Sequence, residues 1–244
     1  MDTEIYLESL QADIEAFAGV IESGPPDARI VGCPGWTLVD LAHHLGGVHR
    51  WARHAVVHLG PPELAFDDDP PPTDHDQLVE WIRAGGQRLL EALRSVDPAA
   101  PTWHPFPAPM VAGVWPRRQA QENSVHRWDA QHAIGIDATI DAAMAADGID
   151  EYFGVMLGRL VQREHLTVPA SCFAVVTTDT GDRWVLDGGS GDIVVGEDVA
   201  PLASLSGTAQ EVLLRLWGRP VHDGAVVIDG DHEIAAEWLA LGGA

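Results

Sequence analysis

The sequence predicts an α+β fold in which a long helical region precedes a small mixed region. Apolar residues recur at helical spacing through the first two-thirds of the chain, and proline-rich and glycine-rich stretches separate the helical segments. After about residue 166 the pattern changes to short apolar stretches between glycine-containing turns. Because 244 residues can form two modest domains, we predict domains at 1–165 and 166–244.

The first region is predicted to contain five helices connected by stretches that break helices. The predicted helices span residues 3–22, 37–59, 73–96, 115–134 and 140–164. The proline-rich connections at 60–62, 67–72 and 105–109 are long, which favours a helical bundle with crossover connections. The acidic run at 67–69 precedes three prolines, so we interpret it as a solvated loop and not as a metal site.

The second region is predicted to form a small sheet with two helices. The predicted strands are 172–178, 183–186, 192–195 and 225–228, and the predicted helices are 208–217 and 232–241. The glycines at 188, 189 and 191 do not match a dinucleotide-binding fingerprint and are interpreted as a hairpin turn.

Two of the predicted helices have polar residues suited to binding a metal. The helix at 37–59 begins with Thr37 and Asp40 in capping-box positions, and His44 lies beside its apolar stripe. The helix at 115–134 is followed by Gly135 where a C-terminal cap belongs, and on this helix Glu122 and His126 are four residues apart and therefore share a face. Two imidazoles and a carboxylate suit a divalent transition metal and leave a coordination position open for chemistry. Such spacing is also common on solvated helix faces, and a histidine beside an apolar stripe is often simply packed.

Three motifs resemble the mycothiol-dependent maleylpyruvate isomerase family. Cys-Pro-Gly-Trp-Thr at 33–37, continued by Asp40-Leu41-x-x-His44-Leu45 and by Val-His-Arg-Trp-Ala at 48–52, resembles the first metal-ligand helix of that family. The stretch 122–130, which reads Glu-x-x-Val-His-Arg-Trp-Asp-Ala, resembles the second. Gly-Thr-Ala at 207–209 and Leu-Leu-Arg-Leu-Trp-Gly-Arg at 213–219 resemble the signature of its C-terminal domain.

The resemblance implies a DinB-like four-helix bundle at 1–165 that holds a divalent metal, with zinc as the expected ion, and a small C-terminal α+β domain at 166–244. The ligands carried over by motif are His44, Glu122 and His126. His43 would point about 100° away from His44 on a helix, so we assign it to the surface or to packing. Hydrogen bonds to the ligands are predicted from Asp129, Gln131 and His132.

The resemblance also implies chemistry that depends on mycothiol as a thiol cofactor. In an isomerase, the thiolate adds to a cis double bond conjugated to a carbonyl, the new single bond rotates, and the thiolate leaves. In the alternative, a mycothiol S-transferase, the adduct with the electrophile is kept. A third reading, of another class, is a non-catalytic metal-binding module for interaction or regulation.

The charge composition restricts the partners of this chain. With 14 basic and 37 acidic side chains the formal charge is -23, which argues against nucleic acid and anionic membranes as partners. Every basic residue is arginine, so lysine Schiff-base chemistry is excluded. A small electrophilic substrate that is anionic would therefore need an arginine, and we predict Arg219 in this catalytic role, with Arg215 and Arg118 behind it.

The N-terminus lacks the basic start and apolar core of a signal peptide, and no apolar stretch approaches bilayer-spanning length, so a cytoplasmic location is expected. Cys33 and Cys172 are far apart in sequence, which fits free thiols in a reducing compartment. Cys33 precedes a helix start and could be a nucleophile, but we prefer to interpret it as an ordinary loop cysteine. The sequence gives no indication of the oligomeric state.

Overall fold

A computed structural model of the chain describes residues 1–61, 69–196 and 200–242. The chain divides into two compact units, Met1–Thr139 and Ile140–Ala244. This division differs from the boundary predicted at 165/166, because the helical residues between 142 and 163 belong to the second unit. The predicted α+β fold class is confirmed. In the described residues, no helix combines the length and the apolar character needed to cross a membrane.

The first unit is a four-helix bundle. Its helices are α1 (Thr3–Ser23), α2 (Leu38–His58), α3 (His75–Ser95) and α4 (Val114–Ala133). Helices α1 and α2 each pack against both α3 and α4, so α1 and α2 occupy opposite corners of the bundle. The predicted helices agree with these bounds to within two residues. The solvated loop predicted at 67–69 falls partly outside the described residues, and its described member, Asp69, forms ion pairs with Arg50 and Arg88.

The helix ends follow the signals read from the sequence. Thr37 and Asp40 form the predicted capping box, in which the Thr37 side chain accepts from the Asp40 N–H and the Asp40 carboxylate accepts from the Thr37 N–H. At the C-terminal end of α4, Gly135 has a φ of +76°, and its N–H donates to the His132 carbonyl. These ends fix where the ligand residues fall along α2 and α4.

Helix α4 differs from its neighbours because most of its buried side chains are polar. The other helices contribute leucine, isoleucine and phenylalanine to the core, including Phe17, Leu41 and Ile82, each with no exposed surface. The buried polar residues of α4 are Arg118, Gln119, Gln121, Asn123, Ser124, His126 and Asp129. Buried polar side chains are costly unless they are paired, so a concentration of them on one helix marks a candidate functional site.

The second unit combines a five-stranded sheet with helices. Helix α5 (Ala142–Glu151) continues through a π-helical turn at Tyr152–Met156 into α6 (Leu157–Arg163). The strands are β1 (Cys172–Thr177), β2 (Arg183–Asp187), β3 (Val194–Val195), β4 (Ala203–Gly207) and β5 (Val226–Gly230), with α7 (Ala209–Leu216) before β5 and α8 (His232–Ala240) after it. The sheet order is β3-β2-β1-β4-β5, and only the β1–β4 pair is parallel.

Strand β4 is not among the strands predicted from the sequence. Its sequence, Ala-Ser-Leu-Ser-Gly, contains small residues that rarely favour strands. The strand forms because it pairs on both sides and because Ala203, Leu205 and Gly207 alternate as buried residues. Tertiary pairing thus outweighs a weak local preference for extended structure.

Candidate metal centre

Helices α2 and α4 bring together the three predicted ligands. The His44 Nε2 atom lies 3.2 Å from Glu122 Oε1, and the His126 Nε2 atom lies 3.5 Å from the same oxygen. The two imidazole rings meet edge to face with their centroids 5.1 Å apart. Ligand atoms of the three residues all lie within 4.8 Å of one another. The structure therefore brings together three residues separated by as many as 82 positions in sequence, from 44 to 126.

The geometry and chemistry of these three donors fit a divalent metal ion. Zinc binds imidazole nitrogen and carboxylate oxygen at about 2.0–2.2 Å with tetrahedral angles, which separates neighbouring donors by about 3.3–3.5 Å. The nitrogen-to-oxygen separations of 3.2 and 3.5 Å are close to that spacing. Two nitrogens and one oxygen are also the donor types that zinc and similar ions accept. His44, Glu122 and His126 could thus hold such an ion.

The electrostatic environment keeps Glu122 ionised. Burial alone would raise its pKa, but hydrogen bonds from His126 and His44, with the charge of Arg118, hold the pKa of this carboxyl well below its ordinary value. For His126, burial lowers the pKa, and the hydrogen bonds to Asp129 and Glu122 outweigh it, so that the net pKa is raised. A metal would therefore meet a carboxylate that is already ionised, and metal binding to the site should weaken in acid, where protons compete for the imidazole nitrogens.

Of the three residues predicted to support the ligands, Asp129 contacts one. Its Oδ2 atom lies 3.0 Å from His126 Nδ1, so the carboxylate orients the ring with Nε2 toward Glu122. The other two face elsewhere: Gln131 accepts a hydrogen bond from Arg127, and His132 stacks on Trp128.

Cys33, which the sequence predicts to be an ordinary loop cysteine, lies close to the candidate site. Its Sγ atom is 4.0 Å from Asp129 Oδ2, and Cys33, His126 and Asp129 form a second group whose ligand atoms lie within 4.8 Å. His126 can use both ring nitrogens at once, with Nδ1 against Asp129 at 3.0 Å and Nε2 facing Glu122 at 3.5 Å. We therefore interpret Asp129 as the support of His126, and the first group as the better metal-binding set.

Arg118 is a further neighbour of the site. It was considered only as a substrate-binding residue, yet its Nη2 atom lies 3.1 Å from Glu122 Oε2, one helical turn away. Its side chain is 5% exposed, whereas that of Glu122 is 22% exposed. The spacing of four residues between a cation and a carboxylate is a signal by which this contact could have been predicted.

A buried polar pair lies behind the ligands. His49 is fully buried, and its Nε2 lies 2.8 Å from Asn123 Oδ1, while Asn123 Nδ2 donates to the Gln119 carbonyl. Burial lowers the pKa of His49 to about 4, so its ring is neutral near pH 7. Because Asn123 Oδ1 accepts, we assign the ring proton to Nε2. His49 does not belong to either group of possible ligands.

The site faces solvent on the His44 side. The His44 side chain is 34% exposed against 11% for His126. The half-buried Trp36, from the loop before α2, packs against the His44 ring with centroids 5.0 Å apart. His43, which was predicted to be a surface or packing residue, contacts the Pro72 carbonyl at 3.3 Å. An approaching molecule would therefore meet His44 and Trp36 first.

Arg219, the predicted catalytic arginine, lies in the second unit just after α7. Its Nη1 atom donates to the Trp217 carbonyl at 2.9 Å, and its backbone N–H donates to the Leu214 carbonyl. These contacts fix its position at the end of α7. Its role stays a prediction.

Comparison with known families and structures identifies relatives of both parts of the chain. The family described as mycothiol maleylpyruvate isomerase N-terminal domain matches residues 7–131, and the family described as MDMPI C-terminal domain matches residues 143–237. The crystal structure of a mycothiol-dependent maleylpyruvate isomerase is 14% identical, with a TM-score of 0.61 and 95% coverage of each chain. A histidine-to-alanine mutant of such an enzyme, also 14% identical, gives a TM-score of 0.60 at the same coverage. None of the curated proteins matches the chain.

Proposed function

The chain belongs to the mycothiol maleylpyruvate isomerase family, a family of enzymes, and on this premise we propose that it is a metal-dependent enzyme with mycothiol as its thiol cofactor. Its proposed reaction is maleylpyruvate isomerase-like: reversible thiol addition to an activated double bond, with cis–trans isomerisation. The observation that supports this most is the convergence of His44, Glu122 and His126 within the residues that match the N-terminal family.

The protein's own residues would have distinct tasks in this reaction. His44, Glu122 and His126 would hold the metal, and Asp129 would keep His126 in the orientation that presents Nε2. The bound metal would supply a Lewis acid that keeps a thiol ionised near neutral pH. The partly exposed His44 side leaves a route for the thiol and for a small electrophile.

Arg219 is our candidate for holding a carboxylate of an anionic substrate. Because the chain has no lysine, any side chain with a permanent positive charge at the substrate must be arginine. A guanidinium can bind a carboxylate through two parallel hydrogen bonds and can stabilise charge that develops on an adjacent carbonyl. The proposed enzyme works in the cytoplasm, where the two free cysteines would stay reduced.

A direct assay tests the proposed function and separates it from the transferase alternative. The metal-loaded protein is incubated with mycothiol and maleylpyruvate, and separately with mycothiol and a simple electrophile such as a dinitro-substituted chlorobenzene, from which a thiolate displaces chloride. We expect thiol-dependent loss of the cis substrate with formation of its trans isomer, fumarylpyruvate. A stable thiol conjugate without isomer would support the S-transferase. Absence of both products in protein that carries metal would contradict an enzymatic role and favour a non-catalytic metal-binding module.

A further inference from the structure

We infer that Arg118 is a positioning residue that makes Glu122 a one-oxygen metal ligand. This inference rests on the proposed metal centre, and it assigns Arg118 a task different from substrate binding. By holding the second carboxylate oxygen, Arg118 leaves the remaining coordination space of the ion open to the thiol and the substrate.

The two oxygens of Glu122 have different neighbours. Both imidazole nitrogens face Oε1, His44 Nε2 at 3.2 Å and His126 Nε2 at 3.5 Å. The other oxygen, Oε2, accepts a hydrogen bond from Arg118 Nη2 at 3.1 Å. The carboxylate thus presents one oxygen to the candidate metal position and the other to the guanidinium.

The helix fixes this division. Arg118, Glu122 and His126 follow one another at intervals of four residues, so they occupy successive turns of the same face of α4. Arg118 reaches Glu122 from the N-terminal side, and His126 reaches it from the C-terminal side. Since the Arg118 side chain is 5% exposed, water competes little for its hydrogen bond, and a charge-assisted contact of this kind is among the stronger ones.

One-oxygen binding matters because it determines how many positions remain open. With two imidazoles and one carboxylate oxygen, a four-coordinate ion keeps one position for an exogenous ligand. If Oε2 also bound, the carboxylate would occupy two positions and the ion would have no vacancy without expanding its coordination. The Arg118 guanidinium holds Oε2, so removing it would free Oε2 to turn toward the ion.

Cobalt substitution can test this inference independently of activity. Co²⁺ is loaded into the metal-free protein, into Arg118→Gln, into Arg118→Lys and into the control Arg94→Gln, whose arginine lies on α3 and pairs with the exposed Glu4. Visible absorption and X-ray absorption report the coordination number of the ion. We expect a low coordination number and intense visible bands in the unchanged protein and in the control. In Arg118→Gln the ion should gain one oxygen ligand and lose visible intensity, and Arg118→Lys should restore most of the original spectrum.

Two results would overturn the role of Arg118, and a third would contradict the metal centre itself. An unchanged coordination number and spectrum in folded Arg118→Gln would overturn the role of Arg118. A carboxylate bound through both oxygens in the unchanged protein would overturn it as well, whether or not the variants fold. Failure of the unchanged, folded protein to bind Co²⁺ would instead contradict the metal centre, and with it the proposed function.

Discussion

Replacing Glu122 with glutamine is expected to lower thiol-dependent turnover by roughly a thousandfold while leaving the helical content unchanged. Glutamine has nearly the same shape, but it is a poor metal ligand because it has no negative charge. A Lewis acid typically supplies several kcal/mol of charge stabilisation in a transition state, and about 1.4 kcal/mol corresponds to a factor of ten in rate. The assay is product formation with mycothiol, and far-UV circular dichroism of the same samples reports the fold.

Glu8→Gln is the matched control, because Glu8 is an exposed residue of α1 and the same charge is removed. It should retain full turnover. If Glu122→Gln retained turnover within a few-fold of the control, the carboxylate would not be needed and the proposed metal chemistry would be wrong. If it instead lost its helical content with the metal, the ion would have a structural role.

Lowering the pH from 7 to 4 is expected to cost the bundle about 3 kcal/mol of stability through His49 alone. Burial lowers the pKa of this histidine from 6.5 to about 4 in the folded chain. Between these pH values the unfolded chain binds a proton that the folded chain does not, so the free energy of unfolding falls as the pH falls. The contribution of His49 is fully present above pH 6.5 and is lost progressively toward pH 4.

Urea denaturation at several pH values measures this effect when the free energy of unfolding of the metal-free protein is compared with that of metal-free His49→Gln. Glutamine can still donate to Asn123 Oδ1, but it does not titrate. We expect the acid-induced loss of stability to be smaller by about 3 kcal/mol in His49→Gln, and His232→Gln, which removes an exposed histidine of α8, is the matched control. His126 contributes in the opposite sense, because its raised pKa gives stability that is lost as the pH rises, but it is common to all three proteins. Equal pH dependence in His49→Gln and the unchanged protein would contradict the neutral, buried state of His49.

Local sequence signals predicted most of the helical fold and two of the three candidate ligands. The capping box at Thr37 and the glycine at 135 set the ends of α2 and α4 correctly because these signals act within a few residues. The pair Glu122 and His126 was predictable for the same reason, since helical geometry alone puts them on one face. The position of His44 beside these two residues could not be predicted in the same way, because periodicity does not say which helices pack against each other. The family resemblance supplied the expectation that His44 belongs to the same site.

Features that depend on long-range contacts were missed. Strand β4 has weak strand-forming residues and exists through its pairing with β1 and β5. The approach of Cys33 to Asp129 joins a loop to a helix 96 residues away, and no local pattern indicates it. The division of the chain at 139/140 likewise depends on the packing of α5 against α7, which no composition shift near residue 140 reveals. By contrast, the contact of Arg118 with Glu122 joins residues four apart on one helix, and this spacing would have been enough to predict it.

The most direct test of the metal centre is elemental analysis of the protein purified without chelators and without affinity metals. The proposed site predicts close to one divalent ion per chain, with zinc as the expected element, and a sharp fall in that content in Glu122→Gln but not in Glu8→Gln. Folded protein that contains no metal, and that takes up none when zinc is supplied, would contradict the metal-dependent function and leave an interaction or regulatory module as the better explanation of this fold.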